Sequence, residues 1–390
     1  MNVTFALFTH YIHDDRIWFH QAKELCKANC NVSIVSALKE EEHYNEDGFH
    51  NIAKPHAISF DHTEFHRKDA FGKMAGLIGE TGPDIIICDS PLAIISATKF
   101  KKNRKSNAKI IYDVTEWYPS KKNLFGLKGV RKLVKHITLS ILNYYIGFKS
   151  DGFIFGEYYK AQPFLHRHPK KPYIFLPYYP DLSYIKKSND NPDECWKLCY
   201  CGNTTEEKGF PAVCRIIEKL ATQMPGINFN FNIIGTSDKQ LLHGDCNAAS
   251  LSKSDISNLN INILGRLPFI SFCNEIGKNH VFFDLRQMDK ENTKCLPIKL
   301  FYYMACGRPV IYSNLMAIKQ GVPEYSEIGK FISQDVENEA VTFLKTLITD
   351  YIEGGTMYQD MSDKAMTLAN EKYNWDNIKQ NFVAFITNFK

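Results

Sequence analysis

Two stretches of this sequence carry residue types that can handle phosphate. In Tyr200-Cys201-Gly202-Asn203-Thr204-Thr205-Glu206-Glu207-Lys208-Gly209-Phe210, an apolar run stops at a glycine, and a short polar loop then delivers a lysine to the next apolar-periodic segment. A lysine so placed can neutralise a phosphate that gains charge as it leaves. A solvated loop lysine has the same local pattern. The loop is not a Walker-type sequence, so nucleoside triphosphate hydrolysis is not implied. The second stretch runs from Leu296 to Ile311, with Pro297 at a helix start and Gly307 at its end, just before a strand. The first turn of such a helix offers free N–H groups and a positive dipole end, a place for a diphosphate. An ordinary α/β connection closed by a glycine reads identically in isolation.

Charged residues in the first half fall just past predicted strands. His13, Asp14 and Arg16 follow the first apolar run, and Asp113 and Glu116 follow another. Side chains at strand ends are well placed to meet a substrate. They are also what capping and solvated loops contain. No metal site is expected, because Cys195, Cys199 and Cys201 lack a second paired ligand motif.

The elements that would position these groups alternate along the chain. Strands are predicted at 2–8, 31–37, 84–88, 109–114 and 152–156, and again at 197–201, 228–234, 261–264, 281–284 and 309–312. Most are continuous apolar runs, as parallel strands buried on both faces require. Helical segments such as Trp18–Lys27 and Ala212–Gln223 fall between them. The fold class is therefore α/β, with two doubly wound Rossmann-like domains facing across a cleft at the carboxyl ends of their sheets. The predicted division is 1–178 and 179–374, at a join where Pro177, Pro180 and Pro192 cluster. In the segment 375–390, Trp375, Ile378, Phe382, Phe385 and Ile386 recur at helical spacing. It is expected to pack back on the first domain.

At 390 residues, 44% hydrophobic and 23% charged, the composition is that of a folded globular chain and excludes a disordered or collagen-like one. Met1–Phe8 has no basic n-region and reads as a strand rather than a signal peptide. The odd total of 11 cysteines then fits reduced thiols in the cytoplasm. Residues 1–180 carry 25 Lys and Arg against 18 Asp and Glu, whereas the whole chain nets only +4. That total is too weak to argue for nucleic acid, but the basic half is expected to face an anionic surface. Within it, residues 117–150 contain no acid. Val130, Leu133, Val134, Ile137 and Ile141 recur at helical spacing, with Lys128, Arg131, Lys132 and Lys135 on other faces. A basic amphipathic helix of this kind reads as a membrane-surface contact, and a core helix with a solvated face is the alternative.

Taken together, these stretches resemble the retaining glycosyltransferases of the GT-B fold, most closely glycosyltransferase family 4. The resemblance rests on Gly202 through Lys208-Gly209, Ile233-Ile234-Gly235, Leu264-Gly265-Arg266-Leu267-Pro268, and the run Pro297 to Ile311. In the first half it rests on Asp14-Asp15-Arg16-Ile17, Pro83-Asp84-Ile85-Ile86 and Tyr112-Asp113-Val114-Thr115-Glu116-Trp117-Tyr118-Pro119. The motifs occur in the family's order and span nearly the whole chain.

The resemblance implies a UDP- or GDP-linked sugar donor held by the second domain. The diphosphate would lie on Lys208 and at Leu296 and Pro297, with Gly202 at the turn, the base against Gly265, Arg266 and Leu267, and Lys299 also on the donor side. No metal or other cofactor is required. The acceptor would be a glycan or lipid-linked glycan of the capsule, O-antigen or exopolysaccharide kind, met by the first domain at the inner face of the cytoplasmic membrane. There the resemblance points to His13, Asp113 and Glu116 beside the mechanism and Asp14 and Arg16 on the acceptor side. Four departures stand out. Tyr302 occupies the place of the family's ribose-binding glutamate. Lys294 occupies that of its partner, for which Glu291 is a nearby substitute. Asn203 replaces an arginine, leaving Arg266 or Arg286 for its role, and Thr115 replaces a histidine. A nucleotide-sugar epimerase or a non-catalytic nucleotide-sugar binder on the same fold are the alternatives.

Overall fold

The computed structural model describes residues 1–39, 48–49, 52–116, 118–186, 191–192, 195–236, 256–333 and 335–389. Trp117, part of one motif above, lies outside them. The chain divides into two compact units, Met1–Tyr178 with Asp376–Lys390, and Tyr179–Trp375.

In the first unit seven parallel strands are β1 (Asn2–Leu7), β2 (Asn31–Ser36), β3 (His56–Ser59), β4 (Ile85–Cys88), β5 (Lys109–Val114), β6 (Gly152–Phe155) and β7 (Tyr173–Phe175). Their order is β3-β2-β1-β4-β5-β6-β7. The chain winds outward from β1 to β3, then returns to β4 on the other side of β1. Val3 accordingly sits opposite both Val32 and Ile85. β4 is buried along its whole length, which is why it reads as an unbroken Ile-Ile-Ile-Cys run.

The second unit repeats this plan with β8 (Cys195–Cys201), β9 (Asn228–Ile234), β10 (Leu259–Gly265), β11 (Val281–Asp284), β12 (Val310–Ser313) and β13 (Gly329–Ile332). The order β10-β9-β8-β11-β12-β13 reverses between β8 and β11. One face buries Val213, Ile217 and Leu220 of helix Phe210–Gln223 with Leu344 and Ile348 of helix Val336–Ile352. The other buries Leu300, Tyr303 and Met304 of helix Ile298–Ala305 with Ala365 and Leu368 of helix Met357–Glu371. Burying each large apolar side chain of this kind contributes about 1.5–3 kcal/mol.

Three strands lie outside the predicted set. β3 (His-Ala-Ile-Ser), β7 (Tyr-Ile-Phe) and β13 (Gly-Lys-Phe-Ile) are the short outermost strands, only partly covered. Two predicted helices also differ in form. The first begins as a π-helical segment, Asp15–Ala22, before the α-helix Lys23–Lys27. The last begins with a 3-10 turn, Trp375–Asn377, and becomes helical at Lys379–Thr387. Its end covers β6, where a side chain at Gly152 would collide with the Phe389 ring.

Candidate functional site

In doubly wound sheets, ligands bind past the carboxyl ends of the strands where strand order reverses. In the second unit that place lies past β8 and β11. β8 ends at Gly202, whose N–H donates to Ile234 O at 2.8 Å, and Gly235 N–H donates to Gly265 O at 2.6 Å. Gly202 has φ +143°, and a Cβ there would come within 2.7 Å of Lys299 Nζ. Gly209 closes the loop at φ +73°, where a Cβ would lie 1.8 Å from Leu285 O. Only glycine admits that approach of the Lys208 loop to the end of β11.

Helix Ile298–Ala305 starts with Pro297 at its N-cap, one position earlier than the first-turn placement predicted, and Gly307 follows its end at φ +61°. In its first turn Leu300 N–H donates to Pro297 O at 3.2 Å, and the N–H groups before it have no acceptor within the helix. Lys299, in that turn, donates to Cys201 O. Burial lowers its ammonium pKa, aided by the charges of Arg286 and Lys208 and opposed by Asp284. Asp284, at the end of β11, is held by Arg286 through Nε at 2.8 Å and a second guanidinium bond. Burial alone would raise its carboxyl pKa, but Arg286, Lys299 and Lys208 together bring it below the usual range. Three cations thus gather about one carboxylate. Lys208 is the exposed member, 3.2 Å from Glu207. A cavity of about 480 Å³ adjoins this edge, lined by Glu206, Gly209, Arg215, Arg286, Gln287 and Ser313.

The remaining residues expected near a donor divide between this edge and the core. Asn203 accepts through its backbone oxygen from the Tyr200 hydroxyl at 2.7 Å. Glu291 lies in a turn capped by Asp289, whose carboxylate accepts from the N–H groups of Glu291 and Asn292 at 2.8 and 3.0 Å. Arg266 is exposed, whereas Leu267 and Leu296 pack against the apolar cluster beneath. Tyr302 is 3% exposed, with its ring against Phe269 and Phe272. The structure gives it a place in the core.

The equivalent edge of the first unit is crowded with charge. Arg16 donates Nε and Nη2 to Asp113 at 2.9 and 3.0 Å and Nη1 to Leu176 O at 3.0 Å. Its guanidinium also lies 3.9 Å over the Tyr178 ring. Gln21 Nε2 reaches the same carboxylate at 2.9 Å. In an α-helix, residues five apart point about 140° away from each other. The wider π-helical turn brings Arg16 and Gln21 to one face. Both Arg16 and Asp113 are buried, so the structure assigns them to an internal ion pair rather than to solvent-facing acceptor contacts. His13 packs against Trp18 with ring centroids 4.4 Å apart and planes tilted by 54°, and Glu116 is partly exposed. Asp14 caps the π-helical segment by accepting from Arg16 N–H. Burial raises its carboxyl pKa to about 6, with His10 opposing.

Two residues missed in the sequence complete this edge. His10 Nδ1 lies 2.9 Å from Asp89 Oδ2, just past β1 and β4. Thr115, standing in the family's histidine position, donates to Asp89 O at 3.3 Å. The available sequence signal was positional, since His10 and Asp89 each follow an apolar run that ends beside the reversal.

Helix Gly129–Lys149 differs from every other helix described above. It buries only Leu139, Asn143, Ile146 and Gly147. Val130 is 76% exposed, Ile141 64% and Phe148 63%, and Phe125 in the preceding turn is 90% exposed. Lys128, Arg131, Lys132 and Lys135 are exposed along the same stretch. The predicted apolar stripe therefore does not form a core. No helix among the described residues is long and apolar enough to cross a membrane.

No protein-family model matches the chain, and no curated protein matches it in sequence. Solved structures do match it across its length. Sucrose-phosphate synthase from Thermosynechococcus elongatus aligns over 99% of this chain and 98% of that one, with 12% identity and a TM-score of 0.68. Anabaena HepE in complex with UDP and glucose aligns over 99% of each chain, at 11% identity and 0.66. An alpha-glucosyltransferase in complex with UDP-glucose and DNA containing an abasic site aligns over 100% of each chain, at 14% and 0.61. At such identities the likeness is one of fold. The two parallel-sheet α/β domains have the GT-B fold.

Proposed function

We propose that this chain is a glycosyltransferase of the family 4 kind. It moves a sugar from a UDP- or GDP-linked donor to a glycan or lipid-linked acceptor, retaining the anomeric configuration and using no metal ion. The observation that carries this reading is the gathering of Lys208, Lys299 and Arg286 about Asp284, beside the open first turn of helix Ile298–Ala305. These three cations meet two carboxylates, Asp284 and the exposed Glu207 beside Lys208, and a diphosphate would take up the remaining positive charge. The GT-B fold of structures solved with UDP and UDP-glucose supports the same donor class.

In the mechanism, an acceptor hydroxyl oxygen bonds to the anomeric carbon on the face from which the diphosphate departs. The bond from that carbon to the diphosphate oxygen breaks, and its electron pair stays with the diphosphate. Lys208 and the helix amides meet the charge as it develops. Because they are already in place, they need no rearrangement during the reaction.

The exposed apolar and basic sides of helix Gly129–Lys149 support a peripheral position on an anionic membrane, at its cytoplasmic face. Apolar residues would enter the interface while Lys128, Arg131, Lys132 and Lys135 meet lipid headgroups. A lipid-linked acceptor in capsule, O-antigen or exopolysaccharide assembly suits that position. The test is a panel of UDP- and GDP-sugars incubated with the purified chain and lipid extract. Transfer from at least one donor is expected. Donor epimerised without an acceptor, or bound without turnover across the panel, would overturn the reading.

A further inference from the structure

β1 and β4 end side by side at the reversal of the first sheet, with Ala6 opposite Cys88. Just beyond them, Asp89 is the hub of a dense set of donors. Its carboxylate accepts from Phe8 N–H at 3.0 and 3.1 Å, Thr9 N–H at 2.8 Å, the Thr9 hydroxyl at 2.9 Å and His10 N–H at 3.2 Å, as well as lying against His10 Nδ1. Burial would raise the Asp89 pKa, but these donors and the His10 charge hold it below the ordinary range. An ionised Asp89 accepts only, so His10 Nδ1 must carry a hydrogen. Nε2 makes no hydrogen bond among the described residues, and the His10 side chain is 25% exposed. The ring is therefore clamped on one side and open on the other.

We propose that His10, clamped through Nδ1 by Asp89 with Nε2 left open, is a catalytic residue that donates an Nε2 hydrogen bond to a hydroxyl oxygen of the sugar acceptor, with Asp89 as its positioning residue. This rests on the transferase reading and adds the contact that the first unit makes. The groups acting on the ring are the carboxylates of Asp14, Asp89 and Asp113, while burial opposes the charge. The carboxylates prevail and raise its pKa to about 10. Asp113 is already engaged by Arg16 and Gln21. Carboxylates outnumber cations in this cluster, so a neutral polyhydroxyl ligand suits it better than a phosphate.

A ring protonated on both nitrogens cannot act as the base. The acceptor's proton then passes to the diphosphate oxygen that takes the electron pair, which balances the step without a protein base. His10 orients the acceptor and remains protonated throughout.

The test combines ring-nitrogen NMR with kinetics on the full chain, His10→Gln serving to assign the His10 signals. The wild-type His10 ring is expected to remain an imidazolium through pH 8. His10→Ala is expected to lower acceptor kcat/KM about 10²-fold with unchanged UDP affinity. His10→Gln, which keeps a neutral N–H donor, should recover part of that loss. Asp89→Asn should lower the His10 pKa and introduce a rate that falls between pH 6 and 8, which a purely structural role would not produce. A wild-type ring titrating near 6.5, or His10→Ala transferring at the wild-type rate while wild type is active, would overturn the role of His10 alone. A wild-type chain that transfers no sugar from any donor would overturn the transferase reading as well.

Discussion

β1 and β4 in the first sheet and β8 and β11 in the second occupy equivalent places, flanking the point where strand order reverses. Past the first pair, Arg16 is paired with Asp113 and His10 with Asp89, while Asp14 adds a third carboxylate beside His10. Past the second pair, Lys208, Lys299 and Arg286 share Asp284, and glycine turns keep the backbone low around them. The same topology thus carries one edge where carboxylates outnumber cations and one where cations outnumber carboxylates. Function differs because the side chains past the strands differ.

The largest effect expected from breaking this contrast is at Asp113. Asp113→Ala would leave Arg16 buried without its carboxylate and should cost about 3–5 kcal/mol of stability. Chemical denaturation would show the loss. Lys208→Ala should do the reverse, leaving the unfolding midpoint unchanged while cutting transfer 10²–10³-fold, as loss of a transition-state charge stabiliser does. Wild-type turnover in folded Lys208→Ala would remove that lysine from the mechanism.

Helix Gly129–Lys149 supplies a third kind of surface and a smaller effect per residue. Each lipid-engaged Lys or Arg is expected to contribute ~1 kcal/mol. Replacing Lys128, Arg131, Lys132 and Lys135 by Glu should release the chain from anionic vesicles. Wild-type binding should weaken as salt shortens the screening length. Vesicle sedimentation across a salt series measures both, and equal, salt-independent binding by the two forms would reject lipid as the occupant.

A separate effect concerns pH. His10 holds its proton more tightly in the fold, at about pKa 10, than an ordinary histidine near 6.5. Its stabilisation is complete below about pH 6.5 and is lost as pH rises through about 10. The wild-type melting temperature should therefore fall more steeply than that of His10→Gln between pH 7 and 10.

The central strands were legible because burial on both faces leaves runs such as Ile85–Cys88 with no polar interruption. β3, β7 and β13 were not, since each is only three or four residues long and carries no distinctive pattern. The second edge was also legible in outline, because Gly202, Lys208 and the Pro297–Gly307 segment act through local backbone geometry. The first edge was not. Arg16 meets Asp113 across 97 residues and His10 meets Asp89 across 79, and no local spacing records such pairings. For the same reason Arg16, Asp14 and Asp113 read as separate acceptor-side candidates rather than as members of one buried network. Helix Gly129–Lys149 shows the opposite limit. Its periodicity was plain, but whether the apolar stripe faced a core depended on what lay next to it.

The most direct measurement is proton NMR of the first sugar transferred, followed in real time with the active donor and a chelator present. The account predicts that the new glycosidic bond keeps the donor's anomeric configuration and that its rate is indifferent to the chelator. An inverted product would contradict same-face transfer with the diphosphate taking the proton, and a rate abolished by chelation would contradict a diphosphate held by Lys208, Lys299 and the helix amides alone.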